Sequence, residues 1–261
     1  MKNKSFLIFI LSIHLFTLNT LAQKKNNSFL HYYKLFTEAK NNSDLLKSYQ
    51  YFSKHKDSCI KSNNIKAAIY DLRYMASIEY RLGLYNESEE TSVINLKLIE
   101  QLSDTTERNT HLVGVYNQIG IVNRKLMNYD RALEMYYKSI SLASEKDQIH
   151  TLINNIGNIY KYQGQYKLAY KELSKSKNYF KDPMDTIQYA RALSNLALVK
   201  SKLSRKGAFE DLMEAYKLRK LSGKKLEIYD GNIDMGEYYL DIEQKATAKT
   251  YFEKAYAIVG V

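Results

Sequence analysis

Almost nothing in this chain breaks a helix. There is one proline in 261 residues and there are ten glycines. Proline removes an intrahelical hydrogen bond and glycine adds backbone entropy, so their scarcity beside abundant Leu, Ile, Ala, Lys and Glu points to an all-α protein. Tryptophan is absent, and 24 tyrosines supply most of the aromatic bulk. Tyrosine suits thin helical layers, because its ring packs while its hydroxyl meets water. A single cysteine, Cys59, excludes an internal disulfide and is expected to be a buried, inert thiol. Long apolar runs are missing too. The longest, 13 residues from Phe6 to Leu18, falls short of the ~20 that span a bilayer.

That run belongs to an N-terminal stretch of a different kind. Lys2 and Lys4 precede it, and Thr20-Leu21-Ala22 places small residues after it. Residues 1–22 therefore read as a signal peptide cleaved after Ala22, with an uncleaved anchor as the alternative, and the mature chain is expected to be exported, periplasmic or secreted, with no membrane span. No cysteine stands at the end of the run, so lipid attachment is not expected. Loss of Lys2 and Lys4 lowers the formal net charge from +11 to +9, which favours acidic partners or an anionic membrane surface by general attraction. No nucleic-acid recognition motif accompanies that charge, so no nucleic-acid partner is expected.

What the chain does have is a repeat. A large apolar residue is followed by Gly or Ala, and usually twelve residues later by Ala or Ser. The pattern occurs at Met75-Ala76…Ser88, Ile119-Gly120…Ala132, Ile156-Gly157…Ala169, Leu196-Ala197…Ala208 and Met235-Gly236…Ala248. In the third unit Ile149, Leu152, Ile153, Ile156 and Tyr160 recur at helical intervals, Gly164 ends that helix, and Tyr166, Ala169 and Leu173 form the inward stripe of a second. Gly157 admits a neighbouring helix at close range, and Ala169 is its expected small partner. Each unit is a helix–turn–helix hairpin, and the whole an array of stacked units.

These residues resemble the tetratricopeptide repeat. The likeness covers roughly residues 64–261, with departures: Glu79, Asn123 and Lys200 stand where that family's pattern has Tyr, the fourth unit is one residue short, and the spacing averages about 40 rather than 34. Units of this length are similar to those of bacterial peptide sensors and exported regulators. The resemblance implies a right-handed α-solenoid of five to six hairpins. Residues 23–63 are expected to hold a degenerate N-terminal hairpin, with one stripe at Phe29, Tyr32, Tyr33 and Phe36 and another at Leu45, Tyr49, Phe52 and Ile60. Residues 64–261 form the repeat array. Turns are expected near Asn63-Asn64, Ser103-Asp104, Lys146-Asp147, Asp182-Pro183 and Ser222-Gly223. No polar capping helix follows the last stripe before Val261, which leaves open a short product or a longer protein.

Chemistry is sparse. No phosphate loop, dinucleotide fingerprint or Gly-x-Ser-x-Gly occurs, and no catalytic residue or cofactor is expected. His31, His55, His111 and His150 each stand alone on an expected helix. His55 and Cys59 are four apart and could share a metal on one face, but two ligands do not make a site, so no metal is expected.

The face opposite the core stripe of each first helix says more. Two residues before the small position stand Tyr74, Gln118, Asn155, Asn195 and Asp234; one further back stand Arg73, Asn117, Asn154, Ser194 and Ile233. An amide donates and accepts at once, so a ladder of them can hold extended peptide backbone. Peptide-binding members of the resembled family have Asn here, and the match extends to Asn155 and Asn195, more weakly to Gln118, and not to Tyr74 or Asp234. Asn158 lies on the same face. Arg73, Arg81, Arg124, Lys125, Lys161, Arg191 and Lys202 add positive charge, while Asp230, Asp234, Glu237 and Asp241 make the last unit negative. Such a groove could orient a peptide by its charges. The basic cluster Lys217, Arg219, Lys220, Lys224 and Lys225 reads as helix-end charge beside the dipole. The expected function is a non-enzymatic exported scaffold holding an extended peptide or protein segment in a concave groove. The alternative is the sensory repeat domain of an envelope signalling regulator of the histidine kinase or DNA-binding type, with its effector part elsewhere.

Overall fold

The computed structural model describes Lys34, residues 44–181 and residues 186–259. The signal-peptide stretch, the Phe29–Phe36 stripe and Pro183 lie outside the described residues. Among those described there are eleven helices and no strand. The helices are α1 (Leu45–Lys61), α2 (Ile65–Arg81), α3 (Tyr85–Ile99), α4 (Thr105–Lys125), α5 (Tyr129–Leu142), α6 (Lys146–Tyr162), α7 (Tyr166–Phe180), α8 (Thr186–Lys202), α9 (Ala208–Leu221), α10 (Lys225–Asp241) and α11 (Lys245–Val259). None of them is long and apolar enough to cross a membrane. The turn expected at Lys146-Asp147 falls slightly earlier, because α6 already begins at Lys146.

From α2 onward the helices pair as five consecutive hairpins, and one backbone device closes each. Seven residues after the small position the chain turns left-handed: Ala76 to Gly83, Gly120 to Met127, Gly157 to Gly164, Ala197 to Ser204 and Gly236 to Glu243, with φ of +80°, +61°, +72°, +52° and +61°. The next amide then reaches back five residues, as Leu84 N–H to the Glu79 carbonyl (2.9 Å) and Gln165 N–H to that of Tyr160 (2.8 Å). This is the Schellman closure, and it satisfies carbonyls that a helix end leaves open. Only Gly83 and Gly164 use the residue that adopts this backbone freely.

The chain divides into two compact units, residues 1–122 and 123–261, the boundary falling inside α4. In the first, Phe52 of α1 packs on Met75 and Ile78 of α2, with Leu45, Tyr49 and Tyr74 around them. Ile60 is 46% exposed and does not continue the stripe as expected. Much of the remaining interior is polar. Ser88, Thr91, Ser92 and Asn95 of α3 are all buried. Ser88 donates to the Ala76 carbonyl at 2.7 Å and Asn95 to that of Ile69 at 3.1 Å. Glu79 accepts from Tyr49 Oη at 2.9 Å and from Thr91 Oγ1 at 3.0 Å. An acid at the family's Tyr position is thus a bonded part of the interior.

The second unit is more apolar. Ala169, Leu173, Leu196 and Val199 form one cluster, and Ala197, Leu212 and Met235 another, bordered by Tyr216, Tyr239 and Tyr251. Most of these tyrosines are half-buried as expected, whereas Tyr136 is wholly enclosed. Close approach occurs at the glycines. A Cβ on Gly157 would stand 2.6 Å from Leu173 Cγ, and one on Gly236 2.4 Å from the Phe252 ring. The close partner of the glycine is therefore the bulky residue four beyond the expected alanine: Leu173 after Ala169, and Phe252 after Ala248. The alanines themselves are fully buried.

Candidate functional site

The first helices of the second unit lie side by side, α6 next to α8 and α8 next to α10. Asn195 of α8 donates its side-chain amide to Asn154 Oδ1 of α6 at 3.3 Å, an amide pair linking two hairpins. The sequence register had aligned Asn195 with Asn155, so the pairing is displaced by one residue; Asn155 is half-buried beside it. One turn further along α6, Asn158 Oδ1 is buried and finds no hydrogen-bond partner among the described residues. A buried carbonyl without a donor costs stability unless something supplies one.

Charges surround these amides, arranged otherwise than as a positive groove with one negative end. Arg191 forks onto Glu227, with Nε at 3.2 Å from Oε2. Lys161 of α6 reaches Glu237 of α10 at 3.7 Å, and Lys202 meets Asp241 at 2.5 Å. Three of the bases expected to attract a ligand are thus already paired with α10 acids, which shortens the range of their field. Burial pushes the carboxyls of Asp230 and Glu237 above their usual range; Arg219 and Lys161 respectively oppose the rise, and Asp234 adds to both. Lys125 is pushed down, mainly by burial and then by Arg124.

Arg219 corrects a further expectation. It stands in the last turn of α9 as expected, yet it is 4% exposed, with Nη2 at 3.0 Å from Ser194 Oγ and 3.2 Å from Asp234 Oδ2. Glu227 and Asp230 stand at 3.8 and 3.7 Å from its Nη1. Its neighbours in sequence made it look like surface charge; the acids that bury it lie on the next helix.

The remaining site residues are dispersed. Arg124 lies over the Tyr162 ring at 5.9 Å, with Lys161 over the same ring at 5.0 Å. In the first unit Arg73 is exposed and Asn117 half-buried. Gln118 turns its amide into the packing and donates to Ser88 Oγ at 3.3 Å, so it is held away from any ladder. The structure brings Asn154, Asn158, Lys161, Arg191 and Asn195 onto adjacent helices of the second unit, together with Glu237, and with Glu227, which sequence reading did not place there.

A separate polar cluster lies in the first unit. His55 of α1 bonds through Nδ1 to both oxygens of Asp71 on α2, at 2.8 and 3.0 Å, and Cys59 Sγ stands 3.5 Å from His55 Nε2. All three side chains are buried. His55 is the one histidine of α1, as expected, and its carboxylate partner comes from the neighbouring helix.

No family model matches the sequence, and no curated protein matches it. Solved structures do. Aspartyl phosphate phosphatase F from Bacillus subtilis aligns with a TM-score of 0.68 over 96% of this chain and 76% of its own, at 16% identity. The apo form of RapI aligns at 0.65 over 89% and 98%, at 14% identity. BtubC from P. vanneervenii aligns at 0.60 over 83% and 91%, at 16% identity. The Rap conjugation gene regulator of plasmid pLS20, solved in complex with the Phr* peptide, aligns at 0.66 over 86% and 72%, at 11% identity. The fold is of the tetratricopeptide-repeat type. At these identities the likeness carries the repeat architecture alone, and the repeat's small positions and hairpin closures in this chain agree with it.

Proposed function

We propose that the protein is an exported, non-enzymatic tetratricopeptide-type scaffold that holds an extended peptide or protein segment against α6, α8 and α10. One observation carries this reading. An amide pair joins two neighbouring hairpins, and on the same face of α6 the buried Asn158 carbonyl lacks a donor. A peptide strand presents N–H and C=O groups in alternation, which is what such amides recognise whatever the side chains. The peptide-bound Rap regulator adds support from its fold. With Lys161, Arg191 and Lys202 already paired, recognition rests on backbone more than on an acidic partner.

The test is a displayed peptide library panned against the full chain. Peptides so selected should bind the Asn154→Ala/Asn195→Ala variant at least tenfold more weakly, since each lost hydrogen bond is worth about 1 kcal/mol. Undiminished affinity in the variant contradicts the site. Export is tested by fusing a reporter that is active only outside the cytoplasm after Gln23; a silent fusion contradicts it.

A sensory role within a larger signalling protein is the second reading. It is favoured by a Pyrococcus horikoshii signal-transduction ATPase with a tetratricopeptide-repeat sensor, which aligns with 88% of this chain over 37% of its own, with a TM-score of 0.59 and 17% identity. Sequencing the gene beyond codon 261 distinguishes the two readings, because an effector module there supports the second.

A further inference from the structure

We propose that His55, Cys59 and Asp71 form a binding site for a thiophilic divalent cation of the zinc class. The three side chains each offer a ligand atom, and these atoms lie within 4.8 Å of one another in the interior of the first unit. His55 and Cys59 are four residues apart on α1, hence on one face of that helix. Asp71 comes from α2.

The distances assign the roles. His55 Nδ1 stands 2.8 and 3.0 Å from the two Asp71 oxygens and 3.8 Å from Cys59 Sγ. Zinc bonds of ~2.0 Å to nitrogen and oxygen and ~2.3 Å to sulfur at tetrahedral angles separate ligand atoms by about 3.3–3.5 Å, so small side-chain adjustments bring all three donors onto one cation. Without metal, the Nδ1 proton bridges His55 and Asp71. A cation takes the place of that proton and binds Nδ1, an Asp71 oxygen and the Cys59 thiolate, the displaced protons leaving to solvent. Water completes the tetrahedron. Asp71 is the third protein ligand, supplied by α2, that α1 alone lacks.

Cys59 is the only thiol in the chain, so a metal–thiolate signal reports on this site alone. The full chain, reduced and stripped of metal, is titrated with Co2+ and followed by near-ultraviolet thiolate-to-cobalt charge-transfer absorption. Expected are a band saturating at one Co2+ per chain, its loss on addition of Zn2+, and its absence in Cys59→Ser. In Asp71→Asn, which loses the charge of the third ligand, the band should persist with affinity reduced by about tenfold or more. Wild-type chain that is folded by circular dichroism, with Cys59 reduced, and that develops no band at saturating Co2+ overturns the proposal. A band of equal strength in Cys59→Ser overturns it as well.

Discussion

The two units use the same hairpin closure and fill their interiors differently. In the first, α2 and α3 are joined by buried polar side chains, with Ser88, Thr91 and Asn95 bonded to groups on α2. In the second, hairpins close by bulk against glycine, and polar side chains also reach between hairpins, from Asn154 to Asn195 of the next one and from Lys161 to Glu237 of the one beyond it. Buried hydrogen bonds fix a geometry but are costly when half broken, whereas apolar contacts tolerate adjustment. Buried polar links close a hairpin in the first unit, whereas in the second, as at Arg219 and Asn154–Asn195, they mostly tie hairpins together. That difference places the candidate metal site in one and the candidate peptide site in the other.

Breaking a polar link inside the first unit should have the largest effect. Asp71→Ala leaves His55 buried without its carboxylate and should cost about 3 kcal/mol in urea unfolding. A loss below 1 kcal/mol would mean that the polar interior is not structural. Next come the glycines, where one substitution should change sign between the units. Gly157→Ala drives a methyl into Leu173 and should destabilise by about 2 kcal/mol. Gly114→Ala meets nothing nearer than Arg73 Cζ at 4.0 Å and should stabilise α4 by about 0.5 kcal/mol. Thermal unfolding of the two variants checks this, and shifts of the same sign would remove the contrast.

A smaller effect concerns pH. Burial raises the Asp71 carboxyl from 3.8 to about 6, against the pull of His55. The folded chain therefore holds a proton that the unfolded chain releases. This contribution to stability is complete below the ordinary value and is lost as pH rises through about 6. In metal-free buffer the stability of wild type relative to Asp71→Asn should fall between pH 4 and 7; a flat difference contradicts the burial argument. Smallest is the hairpin closure. Met127→Gly relieves a left-handed non-glycine residue and should stabilise by about 0.5–1 kcal/mol, while Gly164→Ala should do the reverse, both read by differential scanning calorimetry.

The repeat was legible because small residues at fixed spacing leave a periodic trace. So was the turn at Gly164, since glycine advertises a positive φ. The equivalent turns at Met127, Ser204 and Glu243 were not, because those side chains carry no such signal and the surrounding hairpin imposes the backbone. Asn195 was matched to Asn155 where the structure bonds it to Asn154, because repeat spacing does not fix the rotation of one helix against the next. His55 and Asp71 stand sixteen residues apart on different helices, and no local pattern links them. The same holds for Arg219, whose three acidic neighbours all lie on α10. Periodicity reports which face is inward; pairings across helices need the packing itself.

The peptide site on the second unit is tested most directly by placing a photo-crosslinking amino acid at Asn158, on the amide face of α6, and in a second variant at Leu168, exposed on α7. Each is irradiated with a peptide selected from the library. The account predicts a crosslinked product from position 158 and none from position 168. Crosslinking from position 168 alone, or equally from both, would contradict it.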